Sequence, residues 1–512
     1  MLDVNPLFLL DFYKTGHMPQ YPDGTEMVYS NYTCRGDRLA LKSSVYDGKT
    51  VFAGLSGTIK RLVELFNDNF FAKPKAEVLA DYQRRMDNAL GKDAVNTDHI
   101  AELHDLGYLP LEMRALPEGS VVDIRVPLFT INNTYTEDAK KFFWLTNYLE
   151  SVLSNMMWKQ IASATMARQY RMIIEKACVE TGNTTMIPFM GHDFSFRGMS
   201  GYEDAIVSGA MHLTSFVGTD SVHSIDYLED YYNADSDTEL IGCSVPATEH
   251  SVMCMGSKEG ELETFRRLIE DIYPNGIVSI VSDTWDFWKV LDEIAPQLKD
   301  KIMARGAIGQ IGGKVVFRPD SGNPADIICG DKKAPEGSPA SLGALELLWK
   351  HFGGTVNASG YRELDSHVGL IYGEAITLDR AEDIFARMKE MGFAACNIVF
   401  GIGSYTYQYC TRDTWGAAIK STYGIINGVP TEIEKDPITD SGLKKSLKGI
   451  VNVFQTDDGV YYAEDQCESM DVGLLEMVFK DGELLIDPTL AEIRERINNS
   501  IPDFASDLKV AS

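Results

Sequence analysis

The sequence predicts an α/β protein, with an irregular (β/α) barrel of parallel strands at its centre and mixed strands and helices on either side. Three observations carry that reading. From about residue 186, short apolar runs alternate with stretches of helical periodicity, as in a parallel sheet with crossover helices. Seven such runs within about 220 residues favour closure into a barrel, with an open doubly wound sheet as the alternative. Each run leads at once into a polar or glycine-containing motif, and α/β barrels carry their active sites at strand C-termini.

Residues 51–71 and 74–91 have apolar spacings of three and four and predict helices. Proline, glycine and β-branched residues dominate 109–133, which predicts strands and turns. Glu137 to Thr181 predicts one or two long helices. The seven apolar runs are 186–190, 213–217, 241–245, 277–281, 314–317, 368–372 and 397–400. Helical stretches between them are 203–212, 257–272, 285–294, 342–352 and 377–391. The last hundred residues return to mixed elements, with a basic loop at Lys444-Lys445-Ser-Leu-Lys448. These textures divide the chain into residues 1–180, a barrel over 181–400 and a C-terminal part over 401–512.

Composition narrows the function classes. At 512 residues, two to four domains are expected. The formal net charge of −28 argues against a nucleic-acid binder, whose footprint is a basic patch. Anionic substrates remain compatible with it, because a local cluster of Arg and Lys overrides the global field. The eight cysteines are scattered without a C-x-x-C pair, which reads as reduced thiols rather than disulfides or a zinc site. No apolar run approaches the roughly 18 residues of a membrane span, and the N-terminus lacks the blocks of a signal peptide. A soluble, cytoplasmic protein with no membrane or nucleic-acid partner is expected.

The motifs after the runs carry the chemistry. They are Gly191-His192-Asp193-Phe194-Ser195-Phe196-Arg197-Gly198, Gly218-Thr219-Asp220, Glu249-His250-Ser251, Ser282-Asp283, Arg318-Pro319-Asp320-Ser321-Gly322-Asn323-Pro324, Gly373-Glu374 and Gly401-Ile402-Gly403-Ser404. Arg318 can grip phosphate oxygens bidentately, while Asp320 accepts from hydroxyls or holds a metal. Gly401 to Ser404, ahead of a helical stretch, has the form of a phosphate cradle, and also of a simple tight turn. Arg412 and Lys420 follow and add positive charge. Asp283 suits a helix N-cap as well as a site. His250 suits either the core or acid–base and nucleophilic work. Phe194 and Phe196 fit a core as well as a ligand-stacking role. P-loop, H-E-x-x-H and G-x-S-x-G patterns are absent.

With further segments these motifs resemble the nicotinate/nicotinamide phosphoribosyltransferase family, and within it the enzymes that use nicotinamide. The additional segments are Asp11-Phe-Tyr13-Lys14 with His17, Tyr32-Thr-Cys-Arg35, Leu116-Pro-Glu-Gly119, Trp144-Leu-Thr-Asn147, Ser244-Val-Pro-Ala and Thr411-Arg412-Asp413. The resemblance implies a homodimer whose protomers each hold a barrel and a second, discontinuous mixed α+β sheet domain, with active sites at the dimer interface. It implies transfer of phosphoribose from 5-phosphoribosyl-1-pyrophosphate to nicotinamide, giving nicotinamide mononucleotide and pyrophosphate in NAD salvage. Mg²⁺ is the implied cofactor, its protein ligands unassigned, and ATP an activating co-substrate that phosphorylates His250 near Asp283.

By the same resemblance, Phe194 and the Tyr13 contributed by a partner sandwich the nicotinamide ring, and Asp220 accepts from its carboxamide. Arg318 and Asp320 bind the ribose and its phosphates, with Arg197 on the pyrophosphate. Gly373, Glu374, Gly403 and Ser404 surround the 5′-phosphate and ribose, helped by Arg412 and Lys420, and Ser244 and Pro319 are also substrate-binding. The chain has Gly373-Glu374-Ala375 where the family has Gly-Asp-Gly, and Gly403-Ser404-Tyr405 where the family has a run of glycines. Nicotinate is the rival base, and Asp220 speaks against it because two anions would face each other. A non-catalytic protein of this fold would have no need of Arg197, Arg318 and Arg412, all of which are present. A Schiff-base aldolase would want a lysine at a strand's C-terminal end, whereas Lys314 begins its run.

Overall fold

The computed structural model describes residues 4–309, 311–435 and 447–506. Lys444 and Lys445 of the basic loop lie outside the described residues. The N-terminal part supplies strands β1 (Thr25–Cys34), β2 (Leu111–Ala115) and β3 (Pro127–Asn133). Two predicted helices before β2 are present at Leu55–Phe66 and Lys75–Leu90, but residues 49–51 pair as a strand. The long helix α1 (Glu150–Thr181) follows.

The middle of the chain supplies six short parallel strands: β4 (Gly191–Asp193), β5 (Gly218–Thr219), β6 (Ile277–Val281), β7 (Lys314–Arg318), β8 (Val368–Tyr372) and β9 (Ile398–Ile402). The chain then returns to the first sheet with β10 (Ala417–Ile426), β11 (Val429–Glu432), β12 (Glu476–Lys480) and β13 (Glu483–Leu484).

The first sheet is antiparallel, in the order β11-β10-β1-β3-β2-β12-β13, so both ends of the chain build it. The second runs β5-β4-β9-β8-β7-β6 with all neighbours parallel. Its edges, β5 and β6, are joined by the segment 243–248. Cys243 N–H donates to Val217 O (2.7 Å) and Thr219 N–H to Cys243 O (2.9 Å). On the other side Ser279 N–H donates to Pro246 O (2.8 Å) and Thr248 N–H to Ser279 O (3.0 Å). The barrel therefore closes, and its strands lie in chain order.

Four of the predicted runs become β6 to β9 almost as read. The other three differ. Residues 187–189 form a 3₁₀ turn, because Pro188 brings a fixed φ and no N–H, and pairing starts only at Gly191. Residues 213–217 complete the turn after helix Tyr202–His212, leaving only Gly218 and Thr219 to pair. The run 241–245 makes only one isolated bridge, at Cys243, with another at Ala247 just beyond it, since Pro246 cannot donate to a ladder. The helix predicted from 257 begins at Glu261.

Helix α1 is the spine between the two sheets. It is buried along most of its length, including Lys159, Gln160, Arg168 and Gln169. Its polar groups are spent on neighbouring backbone: Lys159 Nζ donates to Tyr407 O (2.8 Å), Tyr170 OH to Ile376 O (2.9 Å) and Arg168 Nη2 to Ser500 O (2.8 Å). Among the described residues no helix is long and apolar enough to cross a membrane, and all eight cysteines are unpaired.

Candidate active site

The C-terminal ends of the barrel strands converge on a mouth that holds most of the candidate residues. Phe194 leaves β4 with its N–H on Ile402 O (3.0 Å), and its half-buried ring lies over two glycines. A Cβ at Gly401 would come within 2.3 Å of that ring, and one at Gly373 within 2.8 Å. Only glycine permits the approach at either strand end.

Asp220 stands beside Phe194, after β5. Its Oδ1 accepts from His192 Nε2 (2.9 Å) and from Ser244 Oγ (2.7 Å). Burial works against ionisation, yet the bonds from His192 and Ser244 and the nearby Arg318 hold this carboxyl below the usual aspartate range. Oδ1 is thus occupied twice, and Oδ2 makes no hydrogen bond to the described residues.

Across the mouth, Arg318 ends β7. Its guanidinium donates to Thr248 O, and its Nε lies 3.8 Å from Asp320 Oδ1. Pro319 is buried between the two. Asp283 Oδ2 accepts from Asp320 N (2.9 Å) and Ser321 Oγ (2.6 Å), while His250 Nε2 lies 3.3 Å from Oδ1. The N-cap of the following helix is Asp286, which accepts from Lys289 N (3.1 Å), so Asp283 is free of that duty. Burial raises the Asp320 carboxyl, and Asp283 and Glu374 push the same way against Arg318 and His250. Glu374 is exposed at the rim. Ser404 opens a five-residue helix after Gly403 and packs on the Arg197 turn, where a Cβ at Gly198 would meet Ser404 Oγ at 2.0 Å. Arg197 is exposed. Lys314 sits at the opposite end of its strand from this mouth.

Tyr13, Arg412 and Lys420 form a second group. Tyr13 and Arg412 line a cavity of about 520 Å³ together with Asp11, Glu150 and Trp158. Lys420 Nζ reaches Glu150 at 3.5 Å, and the buried Lys14 pairs with the same carboxylate while donating to Asn147 Oδ1 (2.7 Å). Burial lowers the Lys420 ammonium, helped by Arg35 and Lys14, although Glu150 opposes the shift. Among the described residues no hydrogen bond or ion pair joins this group to the barrel mouth of the same chain.

Several contributors escaped the sequence reading. Thr248 and Tyr372 act on the mouth, the latter by donating from its OH to Ser321 O and Gly322 O (both 3.0 Å). Tyr372 was hidden in an apolar run. Glu150 reads as an ordinary acidic first turn, and only its two lysine partners mark it. Among the described residues, no group of three or more acidic, His or Cys side chains is placed to hold a metal. Asp283 Oδ1 is nevertheless buried without a hydrogen bond, 3.3 Å from His250 Nε2, and its carboxyl lies near enough to that of Asp320 to raise it. One or two carboxylates completed by substrate phosphates is the usual Mg²⁺ environment, so the residues fit an ion carried in with a diphosphate.

The pattern described as "Nicotinate phosphoribosyltransferase (NAPRTase) family" matches residues 189–483. A protein of Acinetobacter baylyi named nicotinamide phosphoribosyltransferase is 53% identical over 506 residues, 98% of each chain. One of the same name from Mycoplasma pneumoniae is 35% identical over 86% of this chain and 94% of its own. Among solved structures, human nicotinic acid phosphoribosyltransferase superposes with a TM-score of 0.52 at 15% identity, covering 96% of this chain and 93% of that one. That last likeness speaks to the fold alone.

Proposed function

Because the chain belongs to the nicotinate phosphoribosyltransferase (NAPRTase) family, we propose that it is the nicotinamide-using enzyme, transferring 5-phosphoribose from 5-phosphoribosyl-1-pyrophosphate to give nicotinamide mononucleotide and pyrophosphate in NAD salvage. The observation that carries the choice of base is Asp220, ionised beside the Phe194 ring with one oxygen already held by His192 and Ser244. A carboxamide N–H₂ can donate to the other oxygen, whereas a carboxylate would meet a like charge.

The reaction asks little acid–base work of the protein. The pyridine nitrogen lone pair forms the new bond to the ribose anomeric carbon. The electrons of the breaking C–O bond leave with pyrophosphate. Phe194 orients the ring so that the nitrogen faces that carbon, and Asp220 fixes its rotation. Arg318 and Arg197 meet the leaving pyrophosphate, and Asp320 accepts from the ribose hydroxyls. Gly373, Glu374, Gly403 and Ser404 enclose the 5′-phosphate end. Mg²⁺, when bound with the diphosphate near Asp283 and Asp320, neutralises developing charge.

The enzyme works as a cytoplasmic homodimer in this reading. Tyr13, Arg412 and Lys420 lie apart from the mouth of their own chain, which is what a site completed by a second subunit requires. ATP stimulates turnover by phosphorylating His250, whose ring is half exposed and lies beside Asp283. The test is incubation with 5-phosphoribosyl-1-pyrophosphate, Mg²⁺ and either pyridine base, with and without ATP, followed by product identification. Nicotinamide mononucleotide as the dominant product is expected; preferential use of nicotinate would overturn the assignment of base.

A further inference from the structure

We propose that Asp193 is a positioning residue for base selection, tying the loop that carries Phe194 to the loop that carries Asp220. The inference rests on the nicotinamide reading above. Asp193 is fully buried and reaches no substrate. Its Oδ1 accepts from Ser195 N (2.9 Å), the residue after Phe194. Its Oδ2 accepts from Ser221 Oγ (2.7 Å), the residue after Asp220. Its main-chain carbonyl accepts from Asp220 N itself (3.0 Å). One residue therefore fixes the ring platform and the carboxamide acceptor relative to each other.

The surroundings make this an unusual place for a carboxylate. Helix Tyr202–His212 covers it so closely that a Cβ at Gly209 would lie 3.0 Å from Oδ2. The titratable groups facing it are His212, His223 and Tyr407. His212 Nε2 lies 3.1 Å from Gly218 O, which only accepts, and the neutral tautomer that donates there leaves Nδ1 to accept from Tyr407 OH (2.6 Å). Burial pushes the His212 imidazole down to about 4, in keeping with that state. No Lys or Arg pairs with Asp193 among the described residues. A fully buried carboxyl is costly unless its oxygens are hydrogen-bonded, so filling space does not account for it. Two carboxylate oxygens aimed at two different loops do account for it.

Three variants test the inference: Asp193→Ala, Asp193→Asn and Ser221→Ala. The readout is the ratio of kcat/KM for nicotinamide to that for nicotinate, with KM for 5-phosphoribosyl-1-pyrophosphate measured alongside. A ratio of rates does not depend on the folded fraction, so a merely structural role leaves it unmoved. Asp193→Ala should lower the ratio by about tenfold, and Ser221→Ala, which frees only the Asp220 side, by about three- to fivefold. Asp193→Asn should restore most of it. Its amide oxygen still accepts from Ser195 N, and its N–H₂ can donate to Ser221 with the hydroxyl roles reversed. KM for the phosphoribosyl donor should stay within about twofold in Ser221→Ala, whose lost bond leaves the Ser195–Arg197 turn and the Arg318–Asp320 segment untouched. If Asp193→Ala fails to fold, Ser221→Ala decides. An unchanged ratio in soluble Ser221→Ala, or an equal loss for both bases and the phosphoribosyl donor, overturns the inference. A wild type that discriminates while the variants discriminate equally refutes this inference alone. A wild type using neither base refutes the functional reading, and this with it.

Discussion

Asp220→Ser is the sharpest probe of the base assignment. In the wild type, Oδ1 is taken by His192 and Ser244, so the substrate amide meets Oδ2. A hydrogen bond to a charged acceptor contributes about 1.5–3 kcal/mol. The Asp220 side chain is 51% exposed in the single chain, which places the effect at the lower end, about tenfold in kcat/KM for nicotinamide. Nicotinate gains from the same change, because two like charges about 4 Å apart at a partly solvated mouth repel by about 1–4 kcal/mol. The nicotinamide-to-nicotinate ratio should therefore fall by about a hundredfold, only part of it through slower use of nicotinamide. His192, Ser244 and Arg318 hold the Asp220 carboxyl below its usual value against the effect of burial, so it stays ionised through the neutral range. Wild-type selectivity should accordingly be flat from about pH 5 to 9. The assay is steady-state kcat/KM for both bases on both proteins at three pH values. A variant that keeps the wild-type ratio would refute the reasoning, as would a wild type that prefers nicotinate.

Four further outcomes are expected. Mixing Tyr13→Ala with Asp320→Ala subunits should recover about a quarter of wild-type activity, since half of randomly formed dimers carry one intact site; hybrids shown to form yet inactive would count against a shared site. His250→Ala should keep basal synthesis and lose stimulation by ATP, and a variant stimulated like the wild type would exclude the phosphohistidine. Asp320→Asn should abolish most turnover while raising Tm at neutral pH. Burial raises this carboxyl, so its ionisation costs folding stability as pH rises through the raised value, and the amide removes that cost; calorimetry at pH 5 and 8 reads the sign. Ala375 adopts φ +51°, where an L side chain costs about 1–2 kcal/mol. Ala375→Gly should stabilise by up to about 1 kcal/mol after glycine's larger entropy loss, and a clear loss in urea titration would contradict the strain.

The barrel was legible where strands were regular and faded where proline intervened. The runs 277–281 and 368–372 coincide with β6 and β8, because both are mostly β-branched or aromatic and contain no proline, which leaves the backbone free to pair. The stretch 186–190 read as a strand by apolarity, whereas Pro188 moved pairing on to Gly191. Closure through Cys243 and Ala247 was beyond periodicity altogether, since an isolated bridge has no repeating pattern. The site was legible in proportion to how local its motifs were. Arg318-Pro-Asp320 and Phe194 could be singled out because each sits at one strand's end. The double hold on Asp220 needs residues from three strand ends, and the Glu150 hold on Lys14 and Lys420 needs partners 136 and 270 positions apart in the chain.

Charge at the mouth bears on why a second subunit and a metal would be needed at all. Within one chain the mouth sets four carboxylates, Asp220, Asp283, Asp320 and Glu374, against two guanidiniums, Arg197 and Arg318. A phosphoribosyl donor with several phosphate charges would meet a field of the wrong sign there, in a molecule already carrying a net charge of −28. The second group is balanced instead, with three cations to three carboxylates. Lys14, Lys420 and Arg412 gather around one shared carboxylate, Glu150, and the neighbouring acids Asp11 and Asp413. Burial lowers the Lys420 ammonium, so an arriving phosphate would offset that desolvation by pairing with it. Bringing that group over a partner's mouth supplies cations where one barrel lacks them. Mg²⁺ carried on the diphosphate would offset the Asp283–Asp320 pair. In the proposed dimer the acidic mouth would act as a selectivity device, repelling free anions, nicotinate among them, and admitting a polyphosphate only with metal and partner in place.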